Sequence, residues 1–110
     1  MNLTSLRCST EHMRAPLADA TRLQLLATLP DWQVEGIELV KTFKFANYHE
    51  VMAFVNALAW IAHQEDHHPD LSVHYNRVVV RFSSHDAGAL TLNDFICAAK
   101  AEALTQRTTA

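Results

Sequence analysis

The chain has 110 residues, of which 49% are hydrophobic and 19% are charged, and its formal net charge is −3 at pH 7. This composition predicts one globular domain, and scattered Lys and Arg side chains on a slightly acidic chain make nucleic acid a poor partner. Cys8 and Cys97 belong to no CxxC pair, and the apolar runs are too short to cross a bilayer. We therefore expect a cytoplasmic protein with no disulfide framework, zinc ribbon or membrane segment.

The first part of the chain has little regular pattern. Residues 1–16 mix polar and small side chains without a sustained period, which predicts a flexible N-terminal arm. The leucine spacing that follows predicts a short amphipathic helix that stops before Pro30. We place a single domain at residues 17–104 and a frayed C-terminal tail at residues 105–110.

The middle of the chain changes from a strand pattern to a helix pattern. Trp32 opens a region in which apolar and polar residues largely alternate from Ile37 to Phe45, the period of a strand with one buried face. Asn47 then provides a helix N-cap and Glu50 the acid of a capping box. The run at residues 48–64 carries the strongest helical periodicity in the sequence.

The second half repeats the order of strands followed by a helix. Residues 71–75 read as a short strand, residues 76–77 as a turn, and residues 78–83 as the returning strand of a hairpin. Thr91 caps the last helix, with Asp94 at the acidic position of its capping box. The element order predicts an α+β domain, a four-stranded antiparallel sheet with helices packed on one face.

Histidines cluster in this second half, and their spacing is the main functional signal. The doublet of His67 and His68 precedes Pro69, which has no backbone N–H and biases the preceding residue away from helical angles. The doublet therefore marks a helix boundary. His63 lies one turn before His67 and shares its face if the helix persists that far. His85 follows the last strand, at a place where catalytic groups are common.

Residue chemistry alone leaves three interpretations of these histidines. They are hydrogen-bonded structural side chains, metal ligands with the i, i+4 spacing of His63 and His67, or acid–base groups around a small polar ligand. No HExxH motif is present and the cysteines are not placed to complete a tetrahedral set, which disfavours metal. On the same reasoning, capping alone explains Asp94, and a half-buried strand position explains Tyr75.

The spacing of the second half resembles the signature of the pterin-4a-carbinolamine dehydratase family. The resemblance covers residues 17–104, with further matches at Trp32, at Phe43–Phe45, in the helix from Tyr48 and in the loop at residues 87–90. The anchored positions of the signature are His63, His67, His68, Pro69, Tyr75, His85 and Asp94.

The resemblance implies a hydro-lyase that dehydrates 4a-hydroxytetrahydropterin to quinonoid dihydropterin, a 4a-hydroxytetrahydrobiopterin dehydratase with no cofactor and no metal. It makes His67 the leading acid–base residue, with His68 and His85 binding the pterin and assisting proton transfer. Asp94 would orient a histidine or stabilise its charged form. The expected substrate-binding or supporting residues are His63, Asp94, Pro69, Tyr75 and Ser84.

The resemblance also implies partners. Relatives commonly form homodimers or homotetramers, and the reaction recycles the pterin used by an aromatic amino acid hydroxylase. The alternative is a non-catalytic or moonlighting binding or assembly partner with the same fold, because some relatives serve as dimerisation cofactors of a homeodomain transcription factor. A set of three imidazoles favours catalysis over a scaffold, and a metal-binding module remains a third class that chelators would test.

Overall fold

The computed structural model describes residues 2–12 and 15–106. A 3₁₀ helix at Leu3–Ser5 precedes the regular elements. Within the described residues, no helix combines the length and hydrophobicity needed to span a bilayer. The regular elements are α1 (Asp19–Ala27), β1 (Gln33–Glu35), β2 (Glu38–Lys44), α2 (Tyr48–Glu65), β3 (Asp70–Val73), β4 (Arg77–Phe82) and α3 (Leu92–Thr105).

The strands form one four-stranded sheet in the order β1-β2-β4-β3, and every neighbouring pair is antiparallel. Phe43 lies opposite Val78, and Val80 lies opposite Leu71, so their side chains share the face that packs against the helices. Alternate residues such as Thr42 point away from the core and are exposed. The predicted α+β architecture, with helices on one face of the sheet, is confirmed.

The core forms between this face and helices α2 and α3. Phe82 and Phe95 are fully buried there, and Trp32 packs edge-on against Phe43 with ring centroids 5.8 Å apart. Lys41 interrupts the apolar face of β2, but its Nζ lies 2.6 Å from Oε1 of Glu102, which also accepts a hydrogen bond from the Trp32 indole. The cation is thus paired at the edge of the core.

The predicted strand boundaries differ by one or two residues from those of the structure, and in two places the reason is a turn. Ile37 belongs to the β1–β2 turn after Gly36, whose φ of 62° is costly for other residues, and is 41% exposed. At the next hairpin, the N–H of His74 donates to the carbonyl of Arg77 and closes the turn after Val73. Tyr75 therefore lies in a turn and not in a strand.

The N-terminal segment, which sequence reasoning treats as a flexible arm, packs on the domain in its described part. Leu3 is only 4% exposed, and residues 7–9 contact α2 and α3. Residues 1, 13 and 14 of the predicted arm lie outside the described residues. Of the predicted tail, Thr105 ends α3 and Gln106 follows it, whereas residues 107–110 lie outside the described residues.

Candidate active site

The position of His67 is determined by how α2 ends. Asp66 follows the helix in the left-handed region, with φ of 51°, and its N–H donates to the carbonyl of His63. The N–H of His67 donates to the carbonyl of Ala62 at 3.2 Å, which completes the paired bonds of a Schellman motif. Because the helix ends before His67, the condition under which His63 and His67 would share a helical face is not met.

His67 is buried against Asp94 and Phe82. Its Nε2 lies 2.7 Å from Oδ1 of Asp94, and the two residues are 4% and 0% exposed. The imidazole stacks on the Phe82 ring, with centroids 6.0 Å apart and an angle of 10° between the ring planes. Contacts on an edge and on a face of the ring restrict rotation of the imidazole.

The carboxyl group of Asp94 is held by further donors. Its Oδ2 accepts from Ser84 Oγ at 2.8 Å and from the N–H of Thr91 at 2.9 Å, and the Ser84 and Thr91 hydroxyl oxygens are 2.8 Å apart. All three residues are buried. Asp94 therefore serves two structures, since the carboxyl group that caps α3 also contacts His67.

These contacts define which nitrogen of His67 is available for chemistry. A carboxylate only accepts hydrogen bonds, so Nε2 donates to Asp94, and in the neutral ring the lone pair lies on Nδ1. Among the described residues, Nδ1 has no hydrogen-bond partner, and no side-chain nitrogen or oxygen is both buried and unpaired. Nδ1 therefore lies on the small exposed part of the ring.

The other two predicted catalytic histidines lie on segments that adjoin this pair. His68 follows His67 directly and is exposed, and half-buried Pro69 leads the chain into β3. His85 is exposed on the loop after β4, where its Nε2 lies 3.2 Å from Ser83 Oγ. One exposed imidazole therefore follows His67 in the chain, and the other follows Ser84, which contacts Asp94.

The two remaining predicted residues, His63 and Tyr75, make no hydrogen bond or aromatic contact with this pair among the described residues. His63 lies exposed on α2, with its ring 5.7 Å from that of Trp60. Tyr75 is 66% exposed in the β3–β4 turn, at the opposite end of β4 from Ser84. Six strand residues span about 20 Å, so Tyr75 is remote from the His67–Asp94 pair of its own chain.

Sequence reasoning missed two residues of this site. Thr91 was predicted only as a helix cap, although its N–H and hydroxyl also contact Asp94 and Ser84. Phe82 was predicted only as part of the strand, whereas its ring also supports His67. Nothing in a local pattern distinguishes these roles, because each depends on a neighbour from a different element.

A large cavity in the described residues lies elsewhere. It has a volume of about 980 Å³ and lies along residues 40–44 of β2, where Lys41, Phe45 and Phe54 are among the residues that line it. No histidine lines it. We assign the candidate active site to the His67–Asp94 pair because, within residues 2–12 and 15–106, only there does a buried carboxylate contact an imidazole, the group suited to proton transfer near neutral pH.

Fold and site together define a small α+β protein with a carboxylate-oriented histidine. In residues 2–12 and 15–106, no three His, Cys, Asp or Glu side chains group as metal ligands would. The comparison with protein families then identifies the class more closely. Residues 15–104 match the family described as pterin 4 alpha carbinolamine dehydratase, and the chain belongs to this family.

Individual relatives agree with this assignment. A Chromobacterium violaceum protein named "Putative pterin-4-alpha-carbinolamine dehydratase" is 73% identical over 107 residues, covering 97% of this chain and 99% of its own. A Stenotrophomonas maltophilia protein of the same name is 60% identical over 93 residues, covering 83% and 80%. The crystal structure of a "transcriptional coactivator/pterin dehydratase" from Brucella melitensis has a TM-score of 0.79 and 30% identity, covering 84% and 100%.

Proposed function

We propose that the chain catalyses dehydration of a 4a-hydroxytetrahydropterin to the quinonoid dihydropterin and water, with His67 as the central acid–base residue. The observation that carries this proposal is the buried contact between His67 Nε2 and Asp94 Oδ1, which leaves Nδ1 without a partner among the residues that the structure describes. Family membership supports the substrate class.

The reaction requires two proton movements. The 4a-hydroxyl leaves as water after it gains a proton, and the C4a–N5 double bond forms as N5 loses its proton. In the neutral ring, Nδ1 of His67 accepts a proton, and in the imidazolium it donates one. Asp94 keeps a proton on Nε2 in both states and offsets the positive charge of the imidazolium.

The remaining residues are assigned supporting roles. His68 and His85 are exposed beside the buried pair, where they would bind the pterin and assist proton transfer. Ser84 holds the Asp94 carboxylate, and Pro69 directs the chain away from the helix after the doublet. His63 would act only at the rim of the site, and the remote position of Tyr75 leaves it no role in the site of its own chain.

The test is the rate at which purified protein converts enzymatically generated 4a-hydroxytetrahydropterin to the quinonoid form, followed by ultraviolet absorbance. We expect the wild type to accelerate the reaction and His67→Ala to lose about 10²–10⁴-fold of that acceleration. His49→Ala is the matched control, because His49 is exposed near the start of α2 and away from the site. An equal loss in both variants would contradict a specific role for His67.

We further propose that the chain forms a homodimer or homotetramer in the cytoplasm and recycles the pterin used by an aromatic amino acid hydroxylase. In the described residues, β1 pairs only with residues 38–40 of β2, so residues 41–44 keep one unpaired edge beside the large cavity. Trp60 on α2 is 62% exposed. Light scattering coupled to size-exclusion chromatography measures the assembly.

The second candidate function is a binding or assembly role without catalysis. The unpaired edge of β2 and the word "coactivator" in the description of the Brucella melitensis protein favour it. A folded wild type that does not accelerate the dehydration, while it still assembles or captures a protein partner, would support this alternative.

A further inference from the structure

Two thiols that play no part in the proposed reaction meet outside the candidate active site. Cys8 and Cys97 are separated by 89 positions, yet their sulfur atoms lie 3.5 Å apart. Cys97 is fully buried on α3, whereas Cys8 is half-buried on the N-terminal segment. Both are free cysteines.

The segment that carries Cys8 is held in place on both sides of the sulfur. The N–H of Cys8 donates to Glu65 Oε1 at 2.8 Å. The N–H of Ser9 donates to Asn93 Oδ1 at 3.0 Å, and Asn93 Nδ2 donates back to the Ser9 carbonyl at 2.9 Å. These bonds anchor the backbone to α2 and α3, so the two sulfurs meet through a built contact and not through a chance approach of a loose end.

We propose that Cys8 and Cys97 are a site of reversible oxidation, at which a peroxide or a small disulfide converts the two thiols into an intrachain disulfide. The bond between two sulfurs is about 2.05 Å long, so the pair must close by roughly 1.5 Å. Residues 7–9 belong to no helix or strand and are held by side chains of α2 and α3, so a small shift of this segment together with those side chains supplies the movement.

The two cysteines have different tasks in this step. Cys8 is the accessible sulfur and reacts first, giving a sulfenic acid and water with hydrogen peroxide, or a mixed disulfide and a thiol with a small disulfide. Cys97 then attacks the Cys8 sulfur, releasing a second water or a second thiol. Two thiols lose two electrons and two protons in total, and the oxidant takes them up.

The surroundings of Cys97 disfavour its reaction before Cys8 is oxidised, and in the second step its proton passes to the departing hydroxide or thiolate. The hydrogen-bonded contact with Cys8, burial, and the negative charges of Glu65 and Asp94 all raise the pKa of the Cys97 thiol. Cys97 is therefore a poor first target for an oxidant, and its reaction depends on prior activation of Cys8. The disulfide would tie the N-terminal segment to α3 one turn after Asp94, independently of whether the pterin reaction is catalysed.

The experiment compares the full chain after treatment with hydrogen peroxide or oxidised glutathione and after reduction with dithiothreitol. We expect the oxidised wild type to lose both titratable thiols, to lose about 2 Da in intact mass and to remain a single chain on a non-reducing gel. Its melting temperature should rise by about 10 °C, because the crosslink closes a long loop and restricts the unfolded chain. Dithiothreitol should reverse all three changes.

Two variants keep the proposal falsifiable. Cys8→Ser retains a polar group of similar size at a half-buried position, and Cys97→Ala leaves only a small space in the core. Each should keep its remaining thiol free of an intrachain bond and show no rise in melting temperature after oxidation. The proposal is overturned if the folded, oxidised wild type retains both thiols, if it links two chains, or if it forms the bond without gaining thermal stability.

Discussion

At the scale of single residues, Asp94 couples the fold to the site. Its Oδ2 caps α3 through the N–H of Thr91, while its Oδ1 orients His67. The capping role that sequence physics assigns to Asp94 and the orienting role that the family resemblance implies therefore belong to one carboxyl group. The two roles are compatible because each uses a different oxygen of the carboxyl group.

Asp94→Asn tests this sharing. The substitution replaces one carboxylate oxygen by an amide nitrogen, which cannot accept a hydrogen bond. Because both oxygens of Asp94 accept bonds, either the N–H of Thr91 or Nε2 of His67 loses its acceptor. We expect dehydratase activity to fall about 10²–10⁴-fold and the free energy of unfolding to fall by about 1–3 kcal/mol. Kinetics and urea unfolding measure both. Asp86→Asn, on the exposed loop after β4, is the matched control and should change neither quantity much.

Glu65 links stability to pH. Burial tends to raise the pKa of this carboxyl, but hydrogen bonds from Lys100, the Cys8 N–H and Arg7, together with the Lys100 charge, outweigh burial and lower it below its ordinary value of 4.5. The unfolded state then binds the proton more tightly. The contribution of Glu65 to stability is present above pH 4.5 and is lost as the pH falls through the lower, folded-state pKa.

Glu65→Gln should therefore be pH-sensitive. We expect it to cost about 1–3 kcal/mol at pH 7, because Lys100 is left without its partner carboxylate, and to cost progressively less as the pH falls below the ordinary carboxyl pKa. Urea unfolding at a series of pH values measures the difference from wild type. Glu11→Gln, at an exposed position, serves as control. A cost that stays constant with pH would contradict the charge argument.

At the scale of elements, the end of α2 decides which histidine reaches the site. The Schellman motif stops the helix at Glu65 and turns the chain so that His67 enters the interior, while His63 stays on the outer helix surface. The motif uses Asp66 in a conformation that glycine adopts more easily, and it places a negative charge at the negative end of the helix dipole.

Asp66→Gly should consequently stabilise the protein. The substitution relieves backbone strain and removes the unfavourable charge, but it also makes the unfolded chain more flexible. We expect the stabilising free energy to exceed this entropic cost by about 0.5–1 kcal/mol. Differential scanning calorimetry should show a rise in melting temperature of a few degrees, with dehydratase activity unchanged because the motif is retained. Asp66→Pro, which cannot adopt a positive φ, should instead destabilise the helix end and displace His67.

At the scale of the whole molecule, the N-terminal segment completes the core. Leu3 joins the hydrophobic cluster that contains Leu29 and Ala99, and residues 7–9 bridge α2 and α3. The domain therefore extends to residues that composition alone marks as irregular. Short polar segments acquire structure when an existing surface provides partners for their backbone groups.

A pair of leucine substitutions measures this contribution. Leu3 is 4% exposed and Leu23 is 64% exposed, so Leu3→Ala should lower the free energy of unfolding by about 2–3 kcal/mol and Leu23→Ala by less than about 0.5 kcal/mol. Urea denaturation of both variants measures the two changes in the free energy of unfolding. Equal effects would indicate that the N-terminal segment does not pack on the domain in solution.

The sequence by itself determined the element types and the family. Helix α2 follows from an apolar period and the Asn47 cap, and the β3–β4 hairpin follows from alternation and turn residues, because these signals act within a few residues. Sequence also indicated an acid–base function, since clustered imidazoles and the family signature are both visible in the linear chain.

The tertiary structure decided which side chains meet. His67 and Asp94 are separated by 27 positions and Cys8 and Cys97 by 89, and both contacts arise only when α3 packs beside the end of α2. The β3–β4 turn places Tyr75 at the far end of β4 from Ser84. Such contacts depend on how several elements pack at once, because burying their apolar faces together brings distant residues into contact that no local pattern specifies.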